Sequence, residues 1–400
     1  MPNTLLTVSQ ITRKAAMTLH QKSGLIRSVN RQYDGEFGKA GGKIGDTLRV
    51  RLPNEYTFRN TMTYSAQDVA ELKVDLPVSQ VGGVDMQFTS LDLALSLDDF
   101  NDRFIEPAVS VIAANVESTF FQSMYKKVYN VVDGDAASFA FSHLNTARQV
   151  LTDNLAPMAK RYAVLNTTHA TKFMNDTKGL FHSANNIRDQ YTDGIIGQTA
   201  GFDVMESTII ADHTSGTAAK TTTYTVNGAV TANGSTTVVV QTGATTFKAG
   251  DVFTVAGCFR VHPETKVSTA VLQQFVVAAD YAGGAGNLTF TPAIYTTTGR
   301  QNVTSGGMPN SGAIVKVAAG ASELINGSLA FYRDAFTFVT ADLPMPNGTD
   351  MAASSTYDGV TVSLVRDFDI ATRDFKTRLD ILYGFAAIRP QLACRIHADG

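Results

Sequence analysis

The sequence predicts an α+β fold interrupted by an inserted all-β domain, and three patterns carry that prediction. Alternating apolar and polar residues mark strands near 48–52, 72–76 and 84–88, helical periodicity follows Asp99, and a Thr-rich, charge-poor stretch opens after Lys220. With 400 residues and 44% hydrophobic content, the chain exceeds one compact core, so two or three packed lobes are expected.

Val8, Ile11, Ala15 and Leu19 recur at helical spacing and predict an amphipathic helix that fades near Gly24. Gly35, Gly38, Gly41, Gly42 and Gly45 then break any regular element and supply a hinge. Leu48, Val50 and Leu52 alternate with Arg49 and Arg51, and the alternation returns at Leu72, Val74 and Leu76 and at Val84, Met86 and Phe88. Strands this polar on one face read as a long hairpin resting on something else rather than as a core sheet. Ser96 and Asp99 stand at capping-box spacing, and Asp98, Asp99 and Asp102 put negative charge where a helix start favours it. Pro107 suits a first helical position. From there Val111, Ala114, Ser118, Phe121 and Tyr125 form a stripe with Ile112, Val116, Phe120 and Met124 beside it, and a run to Val132 would span roughly 39 Å.

Leu144, Ala147, Val150 and Leu151 predict a helix ended by Pro157, Tyr162 to Leu165 a strand, and a second short helix follows Thr168, which together indicate an α/β lobe. Thr then fills eighteen positions from 221 to 300. Val226, Val230, Val238, Val240, Val252, Phe253, Val255, Phe275, Val277, Leu288 and Phe290 sit in short runs split by Gly and Asn, the pattern of a small β-barrel or sandwich. Strand patterns resume at Phe336–Val339, Val360–Val365 and Leu379–Tyr383. The β-rich piece therefore reads as an insertion whose host ends, near Lys220 and Ser322, lie close together.

Chemistry is hard to find. No Gly-x-x-x-x-Gly-Lys, Gly-x-Ser-x-Gly, His-Glu-x-x-His or Cys-x-x-Cys arrangement occurs. Gly38-Lys39-Ala40-Gly41-Gly42-Lys43 misses Walker spacing and reads as a hinge. The histidines, His20, His143, His169, His182, His213, His262 and His397, lack i, i+4 pairing and carboxylate company, so no metal is expected. Asp98, Asp99 and Asp102 could hold a hard cation, but helix-start electrostatics explains them. Asp367, Asp369, Arg373, Asp374 and Arg378 read as an exposed, salt-bridged strand or turn. Cys258 and Cys394 lie in unlike segments and are expected to be buried free thiols in a reducing compartment. No signal peptide follows Met1 and no apolar run approaches the ~18 residues of a spanning helix, so neither secretion nor a membrane role is expected. Catalytic, cofactor-binding and metal-binding residues are expected to be absent.

Charge supplies one positive feature. The whole chain is near balance, 33 Lys+Arg against 36 Asp+Glu, which gives no general drive toward nucleic acid. Residues 1–60, however, carry ten basic and four acidic side chains, and residues 61–110 two basic and nine acidic, a sum of +6 beside −7. Such blocks can pair within one molecule or between subunits. Exposed pairs contribute only ~0.2–1 kcal/mol each, so they would set register and salt sensitivity more than strength. Arg13, Lys14, Arg49, Arg51, Asp98, Asp99 and Asp102 are the candidate subunit contacts, with Arg49 and Arg51 expected to face acidic groups on a neighbour.

Short stretches carry a family resemblance: Ile196-Gly197-Gln198-Thr199-Ala200-Gly201-Phe202-Asp203-Val204, Phe247-Lys248-Ala249-Gly250-Asp251-Val252-Phe253-Thr254-Val255-Ala256-Gly257 and Tyr383-Gly384-Phe385-Ala386-Ala387-Ile388-Arg389-Pro390. With the order of elements they resemble the Hong Kong 97 capsid fold, and within it the coat proteins of the kind found in the short-tailed Salmonella phage P22, which carry an insertion domain. The resemblance implies an N-terminal arm at 1–40, an extended loop with flanking strands at 41–90 and a peripheral domain with a spine helix at 91–135. It further implies an axial domain beginning at 136–219, an inserted β-barrel-like domain at 220–322 and closing strands at 323–400. The Thr-rich insertion departs from the family in having little charge. The function implied is a major capsid protein, not an enzyme, self-assembling as hexamers and pentamers into the icosahedral head of a tailed phage. Scaffolding protein and portal are implied partners, with weak non-specific contact to packaged double-stranded DNA, assembly in the bacterial host cytoplasm, and no membrane. The insertion, residues 221–321, is expected to fold autonomously and to help its host fold. The alternatives are an encapsulin-like compartment shell and a tail or decoration protein.

Overall fold

The computed structural model describes residues 8–31, 46–64, 66–67, 72–89, 104–134, 139–177, 197–209, 211–346, 348–357, 360–371 and 374–398. Its helices are α1 (Val8–Lys22), α2 (Gly24–Ser28), α3 (Glu106–Tyr125), α4 (Phe141–Asp153) and α5 (Thr167–Thr177). The first strands are β1 (Asp46–Leu52), β2 (Leu72–Thr89), β3 (Val131–Asp133), β4 (Arg161–Asn166), β5 (Gln198–Thr199), β6 (Phe202–Ser207) and β7 (Ala211–Thr214). Then come β8 (Thr222–Thr225), β9 (Ser235–Val240), β10 (Val252–Val261), β11 (Ser268–Val277), β12 (Gly286–Ile294) and β13 (Ala313–Lys316). The last are β14 (Leu324–Tyr332), β15 (Phe336–Ala341), β16 (Met351–Tyr357), β17 (Val360–Asp369), β18 (Asp374–Ala387) and β19 (Ala393–His397). The order of arm, loop strands, long helix, α/β part, β-rich insertion and closing strands is the expected one. The chain divides into two units, one of Met1–Val50, Lys73–Phe120 and Phe336–Ile388, the other of Arg51–Leu72, Phe121–Ala335 and Arg389–Gly400.

The first unit is built on a sheet of order β1-β2-β18-β17-β16, with β15 also paired to β18. Two strands were expected between Leu72 and Phe88, but β2 is one strand of 18 residues. From Val78 to Thr89 it pairs antiparallel with β18, and Val50, Leu76 and Val78 are buried. This part of the loop region therefore belongs to a core sheet of its own chain, contrary to the expectation. α1 lies on β16 and β17 and buries Thr12, Ala15, Ala16 and Leu19; of the residues its periodicity marked, Ala15 and Leu19 are buried and Ile11 is half-buried. α3 begins one residue before Pro107 and ends at Tyr125, so it runs 20 residues, about 30 Å, rather than reaching Val132. Of its two stripes, Ile112, Val116, Phe120 and Met124 are buried throughout, while the other is exposed at Val111 and Ala114 and buried at Phe121 and Tyr125. Phe120 meets Phe336, Phe338 and Phe385 edge-on at 6.2, 6.1 and 5.5 Å.

The second unit holds a sheet of order β3-β19-β14-β4-β6-β5, with β7 on β14. β4 and β6 are parallel, and α5 follows β4 directly, as a β-α-β crossover requires. The insertion forms a second sheet of order β8-β13-β10-β11-β12-β9. It closes on itself: Asn227 N–H donates to Val239 O at 2.8 Å and Gln241 N–H to Thr225 O at 3.0 Å, joining the two end strands. Inside are Val226, Val238, Val240, Val255, Leu288 and a phenylalanine cluster of Phe247, Phe253, Phe275 and Phe290, each buried. Full burial of each ring stabilises the barrel by roughly 2–3 kcal/mol before entropy is counted. Val252 belongs elsewhere: with Val276 and Ala318 it packs on Tyr129 and Val131 of the host.

Candidate assembly site

Among the described residues, no group of three or more His, Cys, Asp and Glu side chains could hold a metal. One pair looks like a nucleophile and its base. Ser328 Oγ lies 2.7 Å from His169 Nδ1, but His169 Nε2 faces the Ala398 carbonyl at 3.1 Å and Phe139 stacks on the ring at 4.7 Å. Both residues are buried, and burial pushes His169 down to about 4, so the ring is neutral and pinned between β14 and the chain end. Cys258 and Cys394 are buried free thiols, as expected, and burial pushes both up to about 12. These groups stabilise a fold rather than meet a substrate.

The exposed chemistry lies in the loop after β1. Gln67 fixes the loop by accepting the Thr57 N–H at 2.8 Å and donating to Thr57 O at 2.7 Å. Arg59 Nη1 donates to Met62 O at 3.2 Å and also bonds the Thr63 carbonyl. With polar groups turned to the loop's own backbone, the apolar side chains face outward: Phe58 is 88% exposed, Tyr64 83% and Met62 fully so. Large apolar groups grouped this way on a polar frame mark an interaction surface.

The candidate contacts are placed as follows. Arg13 and Lys14 lie on the exposed face of α1. Arg49 and Arg51 are exposed on β1, and Arg49 Nε is 3.8 Å from Asp75 Oδ1 on β2, so part of the charge-block pairing occurs within the chain. Asp98, Asp99 and Asp102 lie outside the described residues, as do the glycines from Gly35 to Gly45. The mixed-sign run near the carboxyl end is salt-bridged: Lys376 Nζ reaches Asp369 at 2.7 Å, and Arg378 Nε reaches Asp380 at 2.7 Å.

Two polar sites escaped sequence reasoning. Glu117 on α3 is buried and accepts the N–H groups of Leu25 at 2.9 Å and Ile26 at 3.2 Å, tying α2 to the long helix. Burial pushes its carboxyl up to about 7 against the two backbone donors, which pull it down. The second site is the joint between barrel and host. Asp251 Oδ2 accepts from Gly216 N at 2.9 Å and Lys248 N at 2.8 Å, and Oδ1 lies 2.9 Å from His213 Nε2. Burial raises the Asp251 carboxyl, but His213 and these donors outweigh it and hold it below its ordinary value. Arg395 of β19 donates to Gly250 O at 2.7 Å and Lys126 O at 3.2 Å, with its guanidinium 4.7 Å from the Tyr125 ring centre. Gln274 of β11 accepts the Val131 N–H at 2.7 Å and donates to Val131 O at 3.1 Å. Asp251 stands in the stretch Phe247–Gly257 that carried the resemblance, which was the one available signal.

No curated protein matches the sequence. Among solved structures, the chain is similar to one from Mycobacterium phage Che8, at 13% identity and TM-score 0.47 over 92% of this chain and 89% of that one. It is similar to the capsid of Ralstonia phage GP4 at 7% identity and TM-score 0.46, over 93% and 88%. The CUS-3 coat protein I-domain matches 24% of this chain over 96% of its own length, at 24% identity and TM-score 0.20. These likenesses are too distant to carry an argument, and the assignment rests on the family comparison. The described family is the P22 coat protein, gene protein 5, and the match runs over residues 18–395. The chain belongs to the P22 coat protein family.

Proposed function

We propose that copies of this coat protein assemble into the closed icosahedral head of a tailed bacteriophage around its double-stranded DNA, with the loop tip as a principal contact between copies. The observation that carries the reading is the exposure of Phe58, Met62 and Tyr64 on a loop that Gln67 and Arg59 fix by bonding its own backbone. Burying three such side chains against a neighbour would stabilise the contact by roughly 1.5–3 kcal/mol each before the cost of association. Arg13, Lys14, Arg49 and Arg51 add register and salt sensitivity. The near-balanced charge supports only weak contact with packaged DNA. Scaffolding protein and portal are the partners such a head would need, met in the host cytoplasm. No described helix is long and apolar enough to cross a membrane. No observation favours a cargo compartment or a tail protein over the coat-protein reading.

The test is assembly of the full chain carrying Phe58→Ser and Met62→Ser. The expected outcome is a circular-dichroism spectrum like the wild type with shell yield on a sizing column reduced at least about tenfold. Normal yield would remove the loop tip from the contact. The same assay on R49E/R51E reads the charges, and unchanged yield and salt dependence would remove them.

A further inference from the structure

The loop that carries the exposed tip is seated on the barrel before it reaches that tip. A Cβ added to Gly299, in the turn after β12, would lie 2.2 Å from the carbonyl oxygen of Glu55, 2.7 Å from its carbonyl carbon and 3.1 Å from the nitrogen of Tyr56. Gly299 does not lie in the left-handed region, so the close approach of the Glu55–Tyr56 backbone, rather than the turn's own conformation, is what requires glycine. Charge marks the same place. Lys266, in the turn between β10 and β11, donates to Gln301 O at 3.3 Å, which holds its ammonium beside the Gly299 turn. Burial lowers the Lys266 pKa and the Glu55 carboxylate opposes that shift, so the two charges are near enough to interact.

We propose that this end of the barrel, formed by Gly299, Lys266 and Gln301, is a platform that holds Glu55 and Tyr56 of its own chain and so aims Phe58, Met62 and Tyr64 at a second copy of the protein. The proposal rests on the reading of the loop tip as a contact surface. Its physical basis is preorganisation. A segment running free from Pro53 to Tyr64 would lose conformational freedom at the moment of docking, whereas one pinned near its start has lost part of it during folding. The inserted barrel would then act in assembly without touching the neighbour itself.

The experiment is backbone hydrogen exchange of the full-length, unassembled chain, followed by an assembly assay, on wild type, G299V and F58S/M62S. In the wild type, residues 55 and 56 should exchange about tenfold more slowly than 60–64 once corrected for intrinsic rates. In G299V that protection should vanish while β10–β12 stay protected, and shell yield should fall severalfold. Wild-type residues 55 and 56 exchanging as fast as 60–64, or protected only inside assembled shells, would overturn the platform, and this arm decides even where G299V does not fold. Lost protection in G299V with normal assembly would also overturn it. If F58S/M62S assembles normally, the contact reading itself fails, a result the exchange data neither produce nor conceal.

Discussion

Glu117 and His169 set opposite pH dependences in one chain. Glu117 is a carboxylic acid whose folded pKa, about 7, lies above its ordinary 4.5. The folded state therefore binds the proton more tightly, and stability is lost as pH rises from about 4.5 through 7, by about 3 kcal/mol in all. His169 is a base whose folded pKa, about 4, lies below its ordinary 6.5. Its contribution is fully present above 6.5 and is lost as pH falls toward 4. Between pH 4.5 and 6.5 the two slopes oppose. Glu117→Gln keeps a neutral acceptor for Leu25 and Ile26 but cannot ionise. The stability difference between E117Q and wild type should therefore grow by about 3 kcal/mol in favour of E117Q from pH 4.5 to 7.5, read by urea denaturation across pH. A constant difference would show that Glu117 titrates normally. The sequence hid Glu117, because a lone Glu on a helix reads as a solvated face, although its neighbours Val116 and Phe120 are both buried. Of the histidines, His169 and His213 are core residues with hydrogen-bond partners.

Elements were legible where local pattern governs and illegible where a distant partner overrides it. α1, α4, α5 and the barrel strands follow their periodicities within a few residues. α3 stops seven residues early: Val131–Asp133 pair with distant β19 as a strand, and Arg395, 269 positions away, takes the Lys126 carbonyl just beyond the helix end. β2 runs through Gly82-Gly83, which reads as a break, because the Asp380 carboxylate occupies the space where a Gly83 Cβ would stand. β14 runs through Asn326-Gly327, a turn signal, because β7 pairs with Leu324–Gly327 and β4 with Leu329–Tyr332. The joint of barrel and host is also a long-range matter, and Gln274 is its simplest member. Gln274→Ala leaves the Val131 N–H and carbonyl without their side-chain partners and should cost about 1–3 kcal/mol, measured by the shift in urea midpoint. A shift below about 0.5 kcal/mol would mean that water replaces the amide fully.

At the scale of the whole molecule, the chain satisfies more of itself than its sequence suggested. The arm helix α1 covers its own β16 and β17, and β2 is zipped to β18, so neither waits for a neighbour to fold. Among the described residues, Phe58, Met62 and Tyr64 of the loop tip are among the most exposed large apolar side chains, with Ile370 elsewhere in the chain comparably exposed. On the reading proposed above, assembly covers that tip without unfolding α1 or β2, and membership of the coat-protein family supports a shell as the product. Cryo-electron microscopy of the purified full-length chain tests this most directly. Closed hollow shells in which Phe58, Met62 and Tyr64 are buried against an adjacent copy are the predicted result. Shells with that tip left in solvent, or monomers alone at every concentration and with a scaffolding partner added, would contradict the account.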